Sequence, residues 1–293
     1  MAENSRPSFI QRRRLEFIEW KLIWERRLNR KDIEDKFQLS TPQASSDIKL
    51  YRDEAGSNFD YDSTAKSYVP SQSFSPKFLS VSADRLLLQL RAYLIGALTE
   101  DDLWFRKVPP VGMVPDIVRA IDPKSLGLIL SAIRDKREIE IEYQSLTKRA
   151  WRHIAPHALA FDGHRWHVRA WSPDRKSFRD FVLSRMNDIR EAGPASFDAS
   201  NDYEWHRVIK LQLKPHPGLN EEQAKAIQCD YGMKDGICEV EVRLSMAYYF
   251  IKRMNLDLPN IPPERAHIRL DNMREVEEAI AKAKVETSLK ADV

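Results

Sequence analysis

Residues 154–186 read Ile154-Ala155-Pro156-His157-Ala158-Leu159-Ala160-Phe161-Asp162-Gly163-His164-Arg165-Trp166-His167-Val168-Arg169-Ala170-Trp171-Ser172-Pro173-Asp174-Arg175-Lys176-Ser177-Phe178-Arg179-Asp180-Phe181-Val182-Leu183-Ser184-Arg185-Met186. Two turn sequences, Asp162-Gly163-His164 and Ser172-Pro173-Asp174, cut this stretch into short runs. A period of 2 begins just upstream, where Ile139, Ile141 and Tyr143 alternate with Glu138, Glu140 and Glu142. Strands are therefore expected at 138–143, 151–160, 165–170, 177–182 and 186–191. So many short strands in about 55 residues predict a small barrel or a strongly bent sheet.

The same region carries the charge. The whole chain has 47 Lys+Arg against 44 Asp+Glu, a net +3. Residues 144–190 alone hold ten basic and four acidic groups, with His153, His157, His164 and His167 among them. A second cluster runs from Arg6 to Lys31, with nine basic groups against Glu16, Glu19 and Glu25. Clustered positive charge on a nearly neutral chain predicts an anionic partner, although a solvated face gives the same count. The composition, 42% hydrophobic and 31% charged, is that of a folded protein. Its 293 residues suggest two or three domains. The most apolar run, Leu86 to Leu90, is too short to span a bilayer, and no secretory signal or membrane partner is expected. Cys229 and Cys238 cannot build a disulfide framework or a zinc site, so the expected location is cytoplasmic, with no metal and no cofactor.

Working back to the N-terminus, Leu15, Ile18 and Leu22 follow a 3-4 spacing within a helix expected over 8–28. A short helix over 30–37 follows, with Asn29 as its cap. Ser40 or Thr41 caps a third helix to about Ala55, with Pro42 in its first turn and Gly56 ending it. Two short strands, 58–61 and 67–69, complete the order of a winged helix-turn-helix. In that module the second helix of the pair enters the major groove. Thr41, Gln43, Ser45, Ser46, Lys49 and Arg52 are its expected exposed positions, with Ser40 at its entry. Gln pairs bidentately with adenine, and hydroxyls reach bases or phosphates. Lys66 and Tyr68 on the wing are expected near the DNA backbone. A three-helix structural bundle with a solvated polar face would read the same way.

This domain is expected over 1–78, closed by a joint rich in Ser and Pro at 69–76. A helical linker over 79–136 follows, with helices at 82–98 and 124–136. Leu86, Leu87, Leu90, Tyr93, Leu94 and Ala97 make a broad apolar face there, suited to a core or to a subunit interface. The strand region spans 137–195. Beyond it, 205–288 alternates β-α-β-α-β-α, which predicts a small α/β sandwich with a possible role in dimerisation. The fold class is thus α+β and multidomain.

The strand region resembles the WYL domain, an Sm/SH3-like β-barrel of bacterial regulators. The matching elements are the strand with Pro156, the Gly163 turn, the strand opening at Trp166, and the arginine-phenylalanine strand that leads to Arg185. Trp166 matches the naming triplet, while His167 and Val168 stand where tyrosine and leucine are usual. With the upstream winged helix and the α/β extension, the chain resembles the WYL-type repressors that accompany anti-phage defence operons of the BREX and CBASS type. The resemblance implies a homodimer on double-stranded operator DNA, bound as an inverted repeat. It also implies a barrel pocket for a nucleic-acid or nucleotide-like effector. Tyr143, Ser145, His157, His167, Arg179 and Arg185 match the family's polar cluster.

The residue chemistry suits an anion pocket. His167 and Arg169 share one strand face, Arg179 and Phe181 another, and arginine forks bind phosphate bidentately. Trp166, Val168, Ala170 and Leu183 are expected in the core. Surface ion pairs for the arginines, and internal partners for the histidines, stay open as readings. Scattered Asp162, Asp174, Asp180 and Asp188 do not form a metal-nuclease cluster, and no Gly-rich phosphate loop is present. The chain is not expected to be an enzyme. A metal-independent histidine nuclease, and an RNA- or single-strand-binding barrel, are the alternatives.

Overall fold

A computed structural model describes residues 7–117 and 119–291, so Arg6 of the first basic cluster lies outside the described residues. The chain divides into two compact units, residues 1–116 and 117–293.

In the first unit, α1 (Phe9–Trp24) buries Leu15, Phe17, Ile18 and Leu22. It stops short of the expected end because Arg26 takes a left-handed φ of 58° and turns the chain. Leu28 then runs extended and bridges Tyr68 of the wing through two backbone bonds. α2 (Arg30–Phe37) opens with the Asp32 carboxylate reaching back to the Asn29 amide at 2.7 Å. α3 (Thr41–Ala55) buries Ala44, Ile48 and Tyr51 at helical spacing, with Pro42 in its first turn. The wing pairs β1 (Phe59–Asp62) with β2 (Ser67–Pro70), Tyr61 opposite Tyr68. Expected and observed elements agree here in order, with α1 ending earlier than expected.

Two buried carboxylates lock this unit. Asp47 of α3 receives Arg14 of α1 through Nε at 2.6 Å and Nη2 at 3.0 Å. Glu19 accepts the amides of Lys77, Phe78 and Leu79 at 2.6–2.8 Å, tying the chain after the wing to α1. Arg14 and Lys21, both counted in the basic cluster, are therefore internal ion-pair partners. α4 (Ala83–Leu94) ends where Gly96 adopts a φ of 75°, short of the expected 98. The connector beyond it is anchored: Leu103 is buried, and Trp104 packs edge-on against Phe17 and Trp20.

In the second unit, α5 (Pro123–Asp135) is capped by Asp122 and packs Ile129 and Ala132 onto a sheet. That sheet is antiparallel and five-stranded, in order β6-β5-β4-β3-β7. Its strands are β3 (Arg137–Gln144), β4 (Arg149–Phe161), β5 (Trp166–Ser172), β6 (Ser177–Val182) and β7 (Met186–Pro194). The expected barrel is not closed: among the described residues no pairing joins β6 to β7. Register shifts at 137/139, 142/143 and 156/158 bend the sheet instead.

After α6 (Tyr203–His206), a three-stranded antiparallel sheet is built from β8 (Val208–Pro215), β9 (Cys238–Arg243) and β10 (Ile268–Leu270). Leu211 and Leu213 of β8 form one cluster with Ile227 of α7 (Glu221–Asp230), Ala247 and Ile251 of α8 (Leu244–Arg253), and Val276 of α9 (Met273–Ala291). No helix among the described residues is long and apolar enough to cross a membrane.

Candidate nucleic-acid interface and ligand pocket

Opposite its buried stripe, α3 presents Thr41, Ser45, Lys49 and Arg52 at spacings of four, four and three, hence on one helix face. These four, with Gln43 and Ser46, are all exposed. Ser40 is the exposed N-cap residue, and no side-chain bond of its own occupies it. Gln43, Ser46 and Lys49 make no side-chain bond to any described residue, which leaves their polar atoms to solvent or a ligand. The Arg14–Asp47 pair pins the inner side of α3 and so sets which face points outward.

A cleft of about 550 Å³ lies between this face, α2 and the wing. Lys66 lines it from the wing turn at a φ of 48°. Tyr68 does two jobs. Its backbone bridges Leu28, and its half-buried ring packs against Phe59 and Tyr61 at 4.9 and 5.2 Å. Arg52 sits over the Phe59 and Tyr68 rings at 5.6 and 5.9 Å, which positions its guanidinium on the wing side. Arg30, Lys31 and Arg106 also line the cleft, and sequence reading did not single them out. The Arg6–Lys31 count touched the first two. Arg106 comes from a connector that shows no periodicity.

The seven residues expected around the barrel pocket divide into two groups. Tyr143, Ser145, Arg179 and Arg185 line one pocket of about 240 Å³. Tyr143 forms part of its floor, with its hydroxyl accepting the Val182 amide at 3.2 Å. Ser145 is spent on its own turn, donating to the Lys148 carbonyl at 2.7 Å and accepting the Lys148 amide at 3.0 Å. Arg152 and Arg175 join the two expected arginines. Apart from a 3.4 Å bond from Arg179 to Ser177, these four guanidinium groups have no described partner. Four cations around so small a space repel one another, and an anion would relieve that repulsion.

His157, His167 and Arg169 are elsewhere. Arg169 is buried, with Nε and Nη2 on Asp202 at 2.8 and 2.9 Å, Nη2 on Glu204 at 3.2 Å, and Nη1 near Asp180. His157 meets the same Asp202 at 2.9 Å, and His167 meets Asp162 at 2.9 Å. Burial alone would raise the Asp202 carboxyl, but hydrogen bonds from Arg169 and His157 hold it below the usual carboxylate range. The reason is packing. Both faces of β5 are covered, Val168 and Ala170 by the α5 side, and His167, Arg169 and Trp171 by the chain that follows the sheet. Trp166, expected in the core, is 46% exposed and pairs with Phe161 at the hairpin mouth, one residue beyond the covered stretch. Val168, Ala170 and Leu183 are buried as expected.

Three family models match the chain: the BrxR transcriptional regulator winged helix-turn-helix domain at 11–92, the WYL domain at 124–191, and the BrxR C-terminal dimerization domain at 208–276. The DNA-binding transcriptional repressor CapW of Pseudomonas aeruginosa is 38% identical over 92% of this chain and 92% of its own length. CapW of Stenotrophomonas maltophilia is 35% identical over 94% of both chains. The chain belongs to the CapW family. CapW of Escherichia coli is 35% identical over 91% of this chain and 90% of its own. Proteasome accessory factor B/C of Arthrobacter aurescens, a solved structure, aligns at 17% identity and TM-score 0.29, and this chain spans 46% of its length. In the terms of the CapW family, the α3 cleft lies in the matched winged helix. The arginine pocket lies in the matched WYL domain, and β8, β9 and α8 lie in the matched dimerization domain.

Proposed function

We propose that the chain is a cytoplasmic, homodimeric, sequence-specific DNA-binding repressor of an anti-phage defence operon, without enzymatic activity. The observation that carries this reading is the α3 face: six exposed polar and basic side chains beside a basic cleft and a wing, in a chain 35–38% identical to DNA-binding repressors. Two copies joined through their C-terminal domains would lay two α3 helices in successive major grooves of an inverted repeat. The Arg152, Arg175, Arg179 and Arg185 pocket would take a nucleic-acid or nucleotide-like anion that changes operator affinity. Such a ligand acts only through unequal affinity for the DNA-competent and incompetent states.

The test is a binding titration of the full chain on duplex DNA from upstream of its own gene. Scrambled duplex and single strand of the same sequence serve as controls, at several salt concentrations. Preference for the native duplex that survives rising salt supports the repressor. Equal binding to both duplexes sinks it, and preference for the single strand would make the sheet an RNA- or single-strand platform.

A further inference from the structure

Arg179 and Asp180 are successive residues of edge strand β6, so their side chains leave opposite faces. Arg179 is exposed and lines the arginine pocket. Asp180 is also among the residues lining that pocket, yet it stands opposite Arg169 in the β5–β6 register and its carboxylate is taken up by groups on the far face. There Tyr249 Oη donates to it at 3.1 Å, and Arg169 Nη1 approaches both oxygens at 3.4 and 3.5 Å. Tyr249 belongs to α8, and its ring lies 5.0 Å from the His167 ring. Burial and the Asp180 charge push the Tyr249 phenol well up, so it stays a protonated donor at any physiological pH. At the end of the same helix, the Arg253 guanidinium occupies the space that a Cβ on Gly163 would fill, at a turn with a φ of 93°. α8 thus meets the sheet at two places, by a hydrogen bond at Asp180 and by close packing of Arg253 on the Gly163 turn. One of them is the residue next to a pocket arginine.

We propose that β6 is a lever that passes occupancy of the arginine pocket to the C-terminal domain. An anion that draws Arg179 inward shifts the strand and loosens the Asp180–Tyr249 bond. This inference rests on the anion-pocket reading above. β6 hydrogen-bonds only to β5 in the described sheet, so it moves at lower cost than an inner strand. The links also differ in strength. Arg169 is held to Asp202 at 2.8 and 2.9 Å, whereas its approach to Asp180 is longer, so the Asp180 side yields first. α8 is part of the matched dimerization domain, which places the far end of the lever where dimer geometry would be read.

The experiment uses the full chain with two probes, inorganic pyrophosphate and a 5′-phosphorylated thymidine tetranucleotide. Binding is measured by calorimetry, and amide hydrogen exchange is followed with and without probe. In the unaltered chain a saturating probe should change exchange in the α8 amides by at least about threefold. Tyr249→Phe should bind the probe with affinity within about threefold of the parent, because Tyr249 does not line the pocket, yet lose the α8 response. Asp180→Asn should weaken the α8 response in the same direction. If Tyr249→Phe keeps the full response, or the unaltered chain binds probe with no change in α8, the lever is overturned and the pocket stands. If neither probe binds, or Arg185→Ala binds as tightly as the parent, the pocket reading fails and the lever fails with it.

Discussion

Arg169 and Arg179 lie on neighbouring strands, one residue out of register, and they live in different physical regimes. Arg169 is 4% exposed and faces Asp202, Glu204 and Asp180 behind the sheet. Arg179 is exposed at the rim of a pocket with three further arginines and one weak hydroxyl contact. A buried ion pair is committed to the fold, because desolvation forbids it to part. An exposed and unpaired cation is free to take a ligand. The comparison separates structure from function within one stretch of sequence.

The buried ion pair is where a single substitution should cost most. Asp202→Asn leaves the Arg169 charge without its bidentate partner and should cost about 3–5 kcal/mol of stability. Arg169→Met, of similar length, strands Asp202 and Glu204 and should also destabilise the fold. Urea unfolding of the two variants checks this. A loss under about 1 kcal/mol would mean that Arg169 is less committed than its contacts indicate.

Acid should act on the same side of the comparison. Desolvation would raise the Asp162 carboxyl, yet hydrogen bonds from His167 and the amides of His164 and Arg165 hold it well below the usual range. Asp202 is held down too. An unfolded Asp takes up its proton at about pH 4, the folded ones only lower. Their contribution is therefore complete above about pH 4 and is lost as pH falls toward the folded values. Glu204, pushed up by burial against the charge of Arg169, works in the opposite sense. Asp162→Asn should flatten the acid limb of stability against pH, measured by thermal unfolding. An unchanged acid limb would remove Asp162 from this account.

Charge counting placed Arg14, Lys21, Arg169 and Arg179 in two basic clusters without separating them. Burial separates them, and burial depends on elements far away in sequence: Asp47 lies 33 residues from Arg14, and Asp202 lies 33 from Arg169. Local pattern was a better guide where the cause is local. Ile139, Ile141 and Tyr143 line the core, Pro42 opens α3, and Ala44, Ile48 and Tyr51 bury as their spacing requires. The same alternation misled at His167 and Arg169. A period of 2 predicts one open face, and the following chain covers that face. Barrel closure was equally out of reach, since it turns on whether β6 pairs with β7, and no residue type announces that pairing. Arg152, Arg175 and Arg106 enter their sites by topology alone.

On the DNA side, Lys49→Ala and Arg52→Ala should differ although both residues sit on the exposed face of α3. Lys49 has no described partner, so its loss should weaken operator binding and lower the salt slope by about 1 with no change in stability. Arg52 also covers the Phe59 and Tyr68 rings, so its loss should add a stability cost of about 0.5–1 kcal/mol. Salt-titrated binding and thermal unfolding of both variants resolve the two. Equal stability would make Arg52 a phosphate contact alone.

The pocket arginines should matter least to the fold. The double variant Arg179→Ala, Arg185→Ala should change stability by no more than about 0.5 kcal/mol, because neither side chain pairs with a described carboxylate. Removing two of four mutually repelling cations should even offset part of the lost packing. Operator binding in the absence of ligand should be unaltered. What should vanish is stabilisation by anions: pyrophosphate that raises the unfolding temperature of the parent should leave the double variant where it was. If the double variant instead unfolds several degrees earlier with no anion present, Arg179 and Arg185 belong with Arg169 among the structural cations. The pocket would then be a seam of the fold and not a place for a signal.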